Sequence, residues 1–272
     1  MIFFPKKLST LVAFLVNKSE IILHALQTLI SLRALATFTN AYFYSTCCLC
    51  NAKGTLQLLI CNACKADLLV SLDKQKCVQC SLPLSSINGH THCIECRATP
   101  PQFDKAYIVT RYEFPSSTLV HRLKYQNRRF IARLLGQLLA EQRVNDREPF
   151  PDLVCCVPMH PDKLRDKNYN HAREIAAQCA MELSLVFNPT LLIKTQTTES
   201  QSSLGRTARL KNLKNSIVIS PGTNLKGKHV AVVDDVMTTG ATFDLVAGLL
   251  KARGAGKVEV WAFARTTKQS FK

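Results

Sequence analysis

The chain has 272 residues, with 35 Lys or Arg against 19 Asp or Glu, so its formal net charge is +16. Hydrophobic residues make up 47% and charged residues 20%, a balance that excludes an intrinsically disordered chain. With 10 Gly and 11 Pro it is neither collagenous nor of low complexity. Its length suits one large or two modest domains. The cationic surplus favours an anionic partner: nucleic acid, a phosphorylated metabolite or an acidic membrane surface.

Residues 1–45 form the first predicted unit, an apolar extension. Charges such as Lys18 and Glu20 interrupt it before any run reaches the roughly 18 uncharged residues that a membrane-spanning helix needs. Polar residues from Asn17 onward also stand where a signal peptide would be cleaved. We therefore predict a cytoplasmic protein whose extension is an amphipathic helix packed on the protein itself, with binding to a membrane surface as the alternative. Its apolar face would comprise Ile21, Ile22, Ala25, Leu29 and Leu32.

Residues 46–98 form the second predicted unit, which is rich in cysteine. Eight cysteines occur as four Cys-x2-Cys pairs, separated by ten, twelve and twelve residues: Cys47, Cys50, Cys61, Cys64, Cys77, Cys80, Cys93 and Cys96. One such pair directs two thiolates at a single ion, and two pairs complete the tetrahedral shell of a structural zinc site. We predict a double zinc ribbon whose folding depends on the metal. Such clustering is typical of a metal module in a reducing cytosol and not of a disulfide framework.

The pairing of these Cys-x2-Cys turns has two solutions. Sequential pairing joins the first turn with the second and the third with the fourth, whereas cross-bracing joins the first with the third and the second with the fourth. His90 and His92 could also serve as ligands, although four complete pairs make that unnecessary. The remaining cysteines are expected to be bystanders, the last three as small buried side chains: Cys48, Cys155, Cys156 and Cys179.

Residues 99–272 form the third predicted unit, an α/β domain. We predict strands over 103–112, 152–158 and 258–265 and a long amphipathic helix over 119–142. Another buried strand begins at Val230, and the helix that follows it is expected to stop near Gly254. Strands that alternate with helical segments imply a parallel sheet.

The stretch that starts at Val230 contains the strongest candidate site. Four apolar residues precede Asp234 and Asp235, after which a loop of small residues opens a helix: Thr238, Thr239, Gly240, Ala241 and Thr242. Ligands bind α/β sheets at the carboxyl ends of their strands. The loop can surround a phosphate at the helix N-terminus, and the carboxylates can hold sugar hydroxyls directly or through Mg2+. The alternative is a turn that uses Asp and Thr only as helix caps.

This stretch resembles the signature for 5-phosphoribosyl-1-pyrophosphate (PRPP) in type I phosphoribosyltransferases. The signature consists of four apolar residues, two acids and V-x-T-T-G-x-T, and every position matches from Val230 to Thr242. Together with the cysteine pairs, it resembles the bacterial ComF/GntX family over about Cys47 to Arg265. Those proteins are phosphoribosyltransferase-like, have a double zinc ribbon and are associated with competence or the use of external DNA. The resemblance implies PRPP with Mg2+ as ligand, Asp234 and Asp235 as catalytic residues, and DNA-uptake proteins as partners.

Further segments resemble blocks of the same family. Pro158 and Met159 correspond to a loop that would face the pyrophosphate. Residues 165–171 correspond to a basic block that retains the cations Arg165 and Lys167 but departs from the family at three positions, where Lys167, Asn168 and His171 replace Arg, Gly and Gln. A flap over the site is implied by Gln201, Leu204, Arg209, Asn212 and Asn215.

Residues 105–133 are strongly basic, since seven cations stand against Glu113 alone. With an aromatic residue for stacking, they predict a track for single-stranded nucleic acid, formed by Arg122, Lys124, Tyr125, Arg128 and Arg129. Cations on the pyrophosphate side of a ligand site, or a solvated charged face, would produce the same pattern. The sequence therefore favours a PRPP-binding protein that handles imported single-stranded DNA. The alternative is an active phosphoribosyltransferase with a base or amine acceptor, and a weaker one is a scaffold whose ribbons dock protein partners.

Overall fold

The computed structural model describes residues 46–53, 59–70, 75–84, 89, 91–195 and 216–267. The predicted N-terminal helix, His90 and the flap block that includes Gln201 and Arg209 lie outside these ranges. Across the described ranges, no helix combines the length and apolarity needed to cross a membrane.

Helices and strands alternate along most of the described chain. Two helices belong to the cysteine-rich unit, α1 (Asn62–Val70) and α2 (Ile94–Ala98). The following elements are β1 (Lys105–Arg111), α3 (Ser116–Tyr125), α4 (Phe130–Val144), β2 (Leu153–Cys156), α5 (Pro161–Lys167), α6 (His171–Glu182), β3 (Val186–Phe187), β4 (Leu192–Lys194), β5 (Ile217–Ile219), β6 (His229–Met237), α7 (Ala241–Ala252) and β7 (Lys257–Arg265).

A parallel sheet forms the centre of the molecule, which confirms the predicted fold class. Its strand order is β1-β7-β6-β2-β3, and every neighbouring pair is parallel. Strands β4 and β5 form a separate antiparallel pair. The central strands are apolar because both faces of the sheet are covered. Leu134 of α4 and Ile175 of α6 pack in one core, and Val246 of α7 packs in the other.

The single helix predicted over 119–142 is wrong. The structure has two helices there, because α3 ends at Tyr125 and α4 begins at Phe130. Asn127, between them, adopts a left-handed conformation with φ 52°, which interrupts an α-helix and which Asn tolerates better than most residues. The predicted stop after α7 is confirmed, since Gly254 has φ 99° two residues beyond the helix end.

A buried ion pair joins α4 to β7. Arg143 Nε lies 3.1 Å from Glu259 Oε2, and neither side chain is exposed. Arg143 also donates to the Pro149 carbonyl at 2.6 Å, while Trp261 Nε1 donates to Glu259 at 3.0 Å. Burial alone would raise the pKa of Glu259, but His229 and Arg143 hold it below its ordinary value. The pair is therefore charged on both sides within the core.

Removing one partner of this pair should destabilise the fold more than removing both. Arg143→Ala leaves the buried Glu259 charge with His229 and Lys257, at 2.9 and 3.3 Å, and loss of one partner from a buried pair typically costs about 3–5 kcal/mol. Arg143→Met combined with Glu259→Leu should recover part of that loss, because an apolar pair needs no desolvated counter-charge, while Trp261 Nε1 loses its acceptor. Urea denaturation followed by circular dichroism measures both variants. Equal stability of the single and double variants would contradict this view of the pair.

Candidate functional site: two cysteine tetrads and the carboxyl end of the sheet

The eight paired cysteines form two tetrads. The first tetrad is Cys47, Cys50, Cys61 and Cys64, and the second tetrad is Cys77, Cys80, Cys93 and Cys96. Within each tetrad the sulfur atoms lie within 4.8 Å of one another, so sequential pairing is confirmed and the cross-braced arrangement is wrong. Four thiol ligands fit a tetrahedral zinc ion and leave no open coordination position. Such a site stabilises structure and does not activate water.

Local backbone geometry explains how the turns present their sulfur atoms. The backbone N–H of Cys64 points at Cys61 Sγ at 3.5 Å, and that of Cys96 points at Cys93 Sγ at 3.4 Å. Each of these turns thus directs an N–H at a sulfur that would be a thiolate when metal is bound. Cys48 lies in neither tetrad, as expected of a bystander. The expected burial of the last three cysteines is also confirmed, for Cys155, Cys156 and Cys179.

Both tetrads pack against the α/β unit, but to different depths. Arg122 of α3 donates to the carbonyl of Cys48, which fastens the first ribbon to that helix. In the second ribbon, Ser81 Oγ donates to the Ala106 carbonyl at 2.7 Å, and Ala106 N donates to the Gln79 carbonyl at 2.7 Å. All four cysteines of the second tetrad are buried, whereas the first tetrad includes an exposed cysteine. The second tetrad is consequently part of a core of the sheet.

The predicted acidic pair lies near the carboxyl end of β6. Asp235 is buried, and one of its carboxylate oxygens lies 2.8 Å from Lys124 Nζ of α3. Its backbone N–H donates to Asp234 Oδ1 at 2.8 Å. Burial, with the charge of Asp235 beside it, raises the pKa of Asp234 to about 8. Asp235 therefore has a cationic partner, while Asp234 takes up a proton more readily than an ordinary aspartate.

The threonine loop follows directly and leads into α7. Thr238 and Thr239 are exposed, and Thr239 Oγ1 accepts from Ala241 N at 3.3 Å. Gly240 caps the helix with φ 83°, and a Cβ atom there would lie 2.8 Å from Met237 Cε. Any larger residue would be strained by this φ, and the terminal methyl of Met237 would have to shift. The loop thus has the small residues and the helix N-terminus that anion binding requires.

The loop after β2 lies beside this edge because β2 and β6 are neighbours. Val157 N donates to the Val233 carbonyl at 2.9 Å, and Asn170 Nδ2 donates to the Val157 carbonyl at 3.1 Å. These bonds place the half-buried Pro158 and Met159 next to the acidic strand. The structure thus brings the two predicted halves of the site to the same edge of the sheet.

The basic block of residues 165–171 spans the end of α5, a turn and the first residue of α6. Asn168, which stands where the family has Gly, is left-handed with φ 61° and caps α5. Lys167 Nζ donates to the Lys124 carbonyl at 3.1 Å, whereas Arg165 is 78% exposed and pairs with Asp162. His171, in place of Gln, is buried and packs edge-on against Tyr169. The backbone at Asn168 thus has a left-handed conformation that Gly would adopt without strain.

The residues predicted to bind nucleic acid are in different environments. Arg122 is bonded to the first ribbon and Lys124 to Asp235, while Arg129 pairs with Glu174 at 2.9 Å. Tyr125 is 69% exposed, and Arg128 beside it is exposed as well. Lys124 therefore lies at the acidic edge, a position that its sequence neighbours did not indicate because its partner is on a distant strand.

Three comparisons place the chain among known proteins. A family model described as phosphoribosyl transferase domain matches residues 171–270. DNA utilization protein YhgH of Escherichia coli K12 is 31% identical over 211 residues, which are 76% of this chain and 90% of that protein. The chain belongs to the ComF family. Another relative of this ComF-family chain is competence protein F of Haemophilus influenzae, which is 30% identical over 179 residues. The match covers 64% of this chain and 78% of that protein.

Among solved structures, the glutamine PRPP amidotransferase from B. subtilis matches with 21% identity and a TM-score of 0.34. The match covers 48% of the ComF-family chain and 25% of that enzyme.

Metal analysis of the purified protein should find about two zinc ions per chain, because eight thiols complete two closed shells. Cys80→Ser combined with Cys93→Ser should lower the content to about one, since only one tetrad is broken. Cys48→Ser, which changes a cysteine outside both tetrads, is the matched control and should retain both ions. Inductively coupled plasma mass spectrometry gives the ratio. Protein prepared without chelator that contains almost no metal would refute the zinc assignment.

Proposed function

We propose that this ComF-family protein binds PRPP or a related phosphoribosyl ligand with Mg2+ and acts in the handling of imported single-stranded DNA. The observation that carries the ligand proposal is the arrangement at β6, where Asp234 and Asp235 directly precede the Thr238–Thr242 loop at the N-terminus of α7. Names of the relatives, DNA utilization protein and competence protein, support the role with DNA.

Each part of this edge suits one part of PRPP. Backbone N–H groups and hydroxyls of the Thr238–Thr242 loop would bind the 5-phosphate. Asp234 and Asp235 would hold the ribose hydroxyls, with Lys124 keeping Asp235 in position. When bound, Mg2+ supplies the charge that neutralises the pyrophosphate. The remaining roles on the pyrophosphate side belong to Pro158, Met159, Arg165 and Lys167, and the flap roles to Gln201 and Arg209.

Turnover as a phosphoribosyltransferase is the second candidate. The match of residues 171–270 to the phosphoribosyl transferase domain favours it, because that segment includes the acidic pair and the loop. Transfer of this kind needs no side-chain nucleophile. It needs a held ribose, a neutralised leaving group and an acceptor base or amine. Incubation with PRPP, Mg2+ and a panel of bases, followed by mass spectrometry for a phosphoribosylated product, separates an enzyme from a ligand-binding protein.

The proposed surface for DNA centres on the end of α3. Tyr125 offers an exposed ring. Lys167 Nζ lies 4.8 Å from the centroid of this ring, and the ring of His121, four residues earlier on α3, packs against it. Arg128 is an exposed cation three residues after Tyr125. An aromatic ring flanked by cations is the arrangement that binds single strands by stacking and phosphate contact. Arg122, Lys124 and Arg129, the other proposed members, would act near this surface while keeping their protein partners.

PRPP with Mg2+ should raise the melting temperature of the protein. At a ligand concentration of 100 times Kd, the expected stabilisation is about 2.7 kcal/mol. Asp234→Ala combined with Asp235→Ala should abolish the gain, because both carboxylates are removed. Asp67→Ala, at an exposed position on α1, is the matched control and should keep it. Differential scanning fluorimetry measures the shift, and no shift in the wild-type protein would overturn the ligand proposal.

Single-stranded DNA should bind with an affinity that falls steeply with salt, because phosphate contacts release counterions. Tyr125→Ala should lose about 1–3 kcal/mol of binding energy, the usual worth of one stacked base. Arg128→Ala should reduce the salt slope by roughly 0.7, as expected for one lost phosphate contact on a single strand. Phe114→Ala removes another exposed aromatic ring, at the opposite end of α3, and serves as control. Fluorescence anisotropy at several salt concentrations tests this, and salt-independent affinity would count against the surface.

A further inference from the structure

Arg265, the last residue of β7, places a charged guanidinium in the core, where two of its three nitrogens lack a hydrogen-bonding partner in the part of the chain that the structure describes. The residue is only 6% exposed. Its Nε and Nη1 atoms are buried and have no hydrogen-bond partner among the described residues. A guanidinium stays protonated in proteins, so burial cannot be relieved by loss of the proton. Such a charge is strongly unfavourable unless an opposite charge lies nearby.

The opposite charge near Arg265 is that of the second tetrad. Burial lowers the pKa of Arg265, and four thiols oppose this effect, Cys80 first and then the other three: Cys93, Cys96 and Cys77. The sheet register explains this proximity, because Arg265 pairs with Met237, which packs in the same core cluster as these cysteines. On its other side Arg265 pairs with Arg111, a second cation that offers no compensation.

The metal centre has a matching need for a cation. A zinc ion with four thiolates is a doubly negative unit, since four negative charges exceed the two positive charges of the ion. Water can solvate the first tetrad, which includes the exposed Cys50. The second tetrad has four buried cysteines and so depends on the protein for compensation.

We propose that Arg265, at the carboxyl end of β7, is the buried counter-charge of the second metal centre. The same strand end reaches the threonine loop, because Thr266 N donates to the Met237 carbonyl at 3.1 Å and Met237 Cε borders Gly240. The second metal centre is thus connected to the loop through one pair of strand ends. This role of Arg265 holds whether or not the loop binds a phosphoribosyl ligand.

The test measures zinc retention in the full-length, zinc-loaded protein. Cysteine alkylation during titration with a chelator, mapped by mass spectrometry, reports each tetrad separately. In Arg265→Met, the cysteines of the second tetrad should lose their zinc and become alkylated at a chelator concentration about 10- to 100-fold lower than in the wild type. This is the usual loss of metal affinity when an outer-shell partner is removed. The first tetrad should be unchanged. Arg265→Lys keeps the charge and should retain most of the zinc, and Arg253→Met, at an exposed position, should behave as wild type.

Three cysteines distinguish a local effect from general unfolding. Cys155, Cys156 and Cys179 are buried outside both tetrads, so they should stay protected in Arg265→Met. Labelling of these three in parallel with the second tetrad would overturn the proposal, as would wild-type zinc retention in Arg265→Met. Equal loss in Arg265→Lys and Arg265→Met would also overturn it, because packing and not charge would then matter. If Arg265→Met does not fold, Arg265→Gln replaces it in the same comparison.

Discussion

Two adjacent carboxylates at the buried end of β6 impose the constraint on which the rest of this edge depends. Their repulsion is relieved in two ways, since Lys124 pairs with Asp235 while a pKa of about 8 leaves Asp234 mostly protonated at neutral pH. Lys124 must therefore reach the strand from α3, and its own carbonyl accepts from Lys167. Tyr169 donates to the Leu123 carbonyl of the same helix. The helix and the basic block are thus assembled around the acidic pair.

The sequence was sufficient for features that depend on local pattern. Spacing alone identified the eight tetrad cysteines, and the apolar run at Val230 identified a parallel strand. Features that depend on partners distant in the sequence could not be predicted from it. Lys124 was assigned to a nucleic-acid track because its neighbours in sequence are basic. Its partner Asp235, however, lies on β6, more than 100 residues further along the chain and next to β2 in the sheet. The break at Asn127 was missed because helical periodicity continues across it.

The basic block departs from the family pattern at Asn168 and His171 without gaining a cation at either position. Asn168 has φ 61°, a left-handed conformation that Gly adopts without strain and that Asn tolerates better than most residues. His171 stands in place of Gln with a buried ring, and burial lowers its pKa, so it is neutral at physiological pH. This replacement therefore adds no positive charge beside Lys124 and Lys167.

The difference in burial between the tetrads argues that the ribbons are not equivalent modules. The first tetrad is partly exposed and is fastened to α3 through Arg122, so it borders the helix that ends in Tyr125. The second tetrad is buried in the core that also contains Met237 of β6, and its ribbon is bonded to Ala106 of β1. Distortion of the first should therefore be felt at the proposed DNA surface, and distortion of the second at the threonine loop. Two metal centres of the same chemistry would then support two different binding surfaces, because each is joined to a different element of the sheet domain.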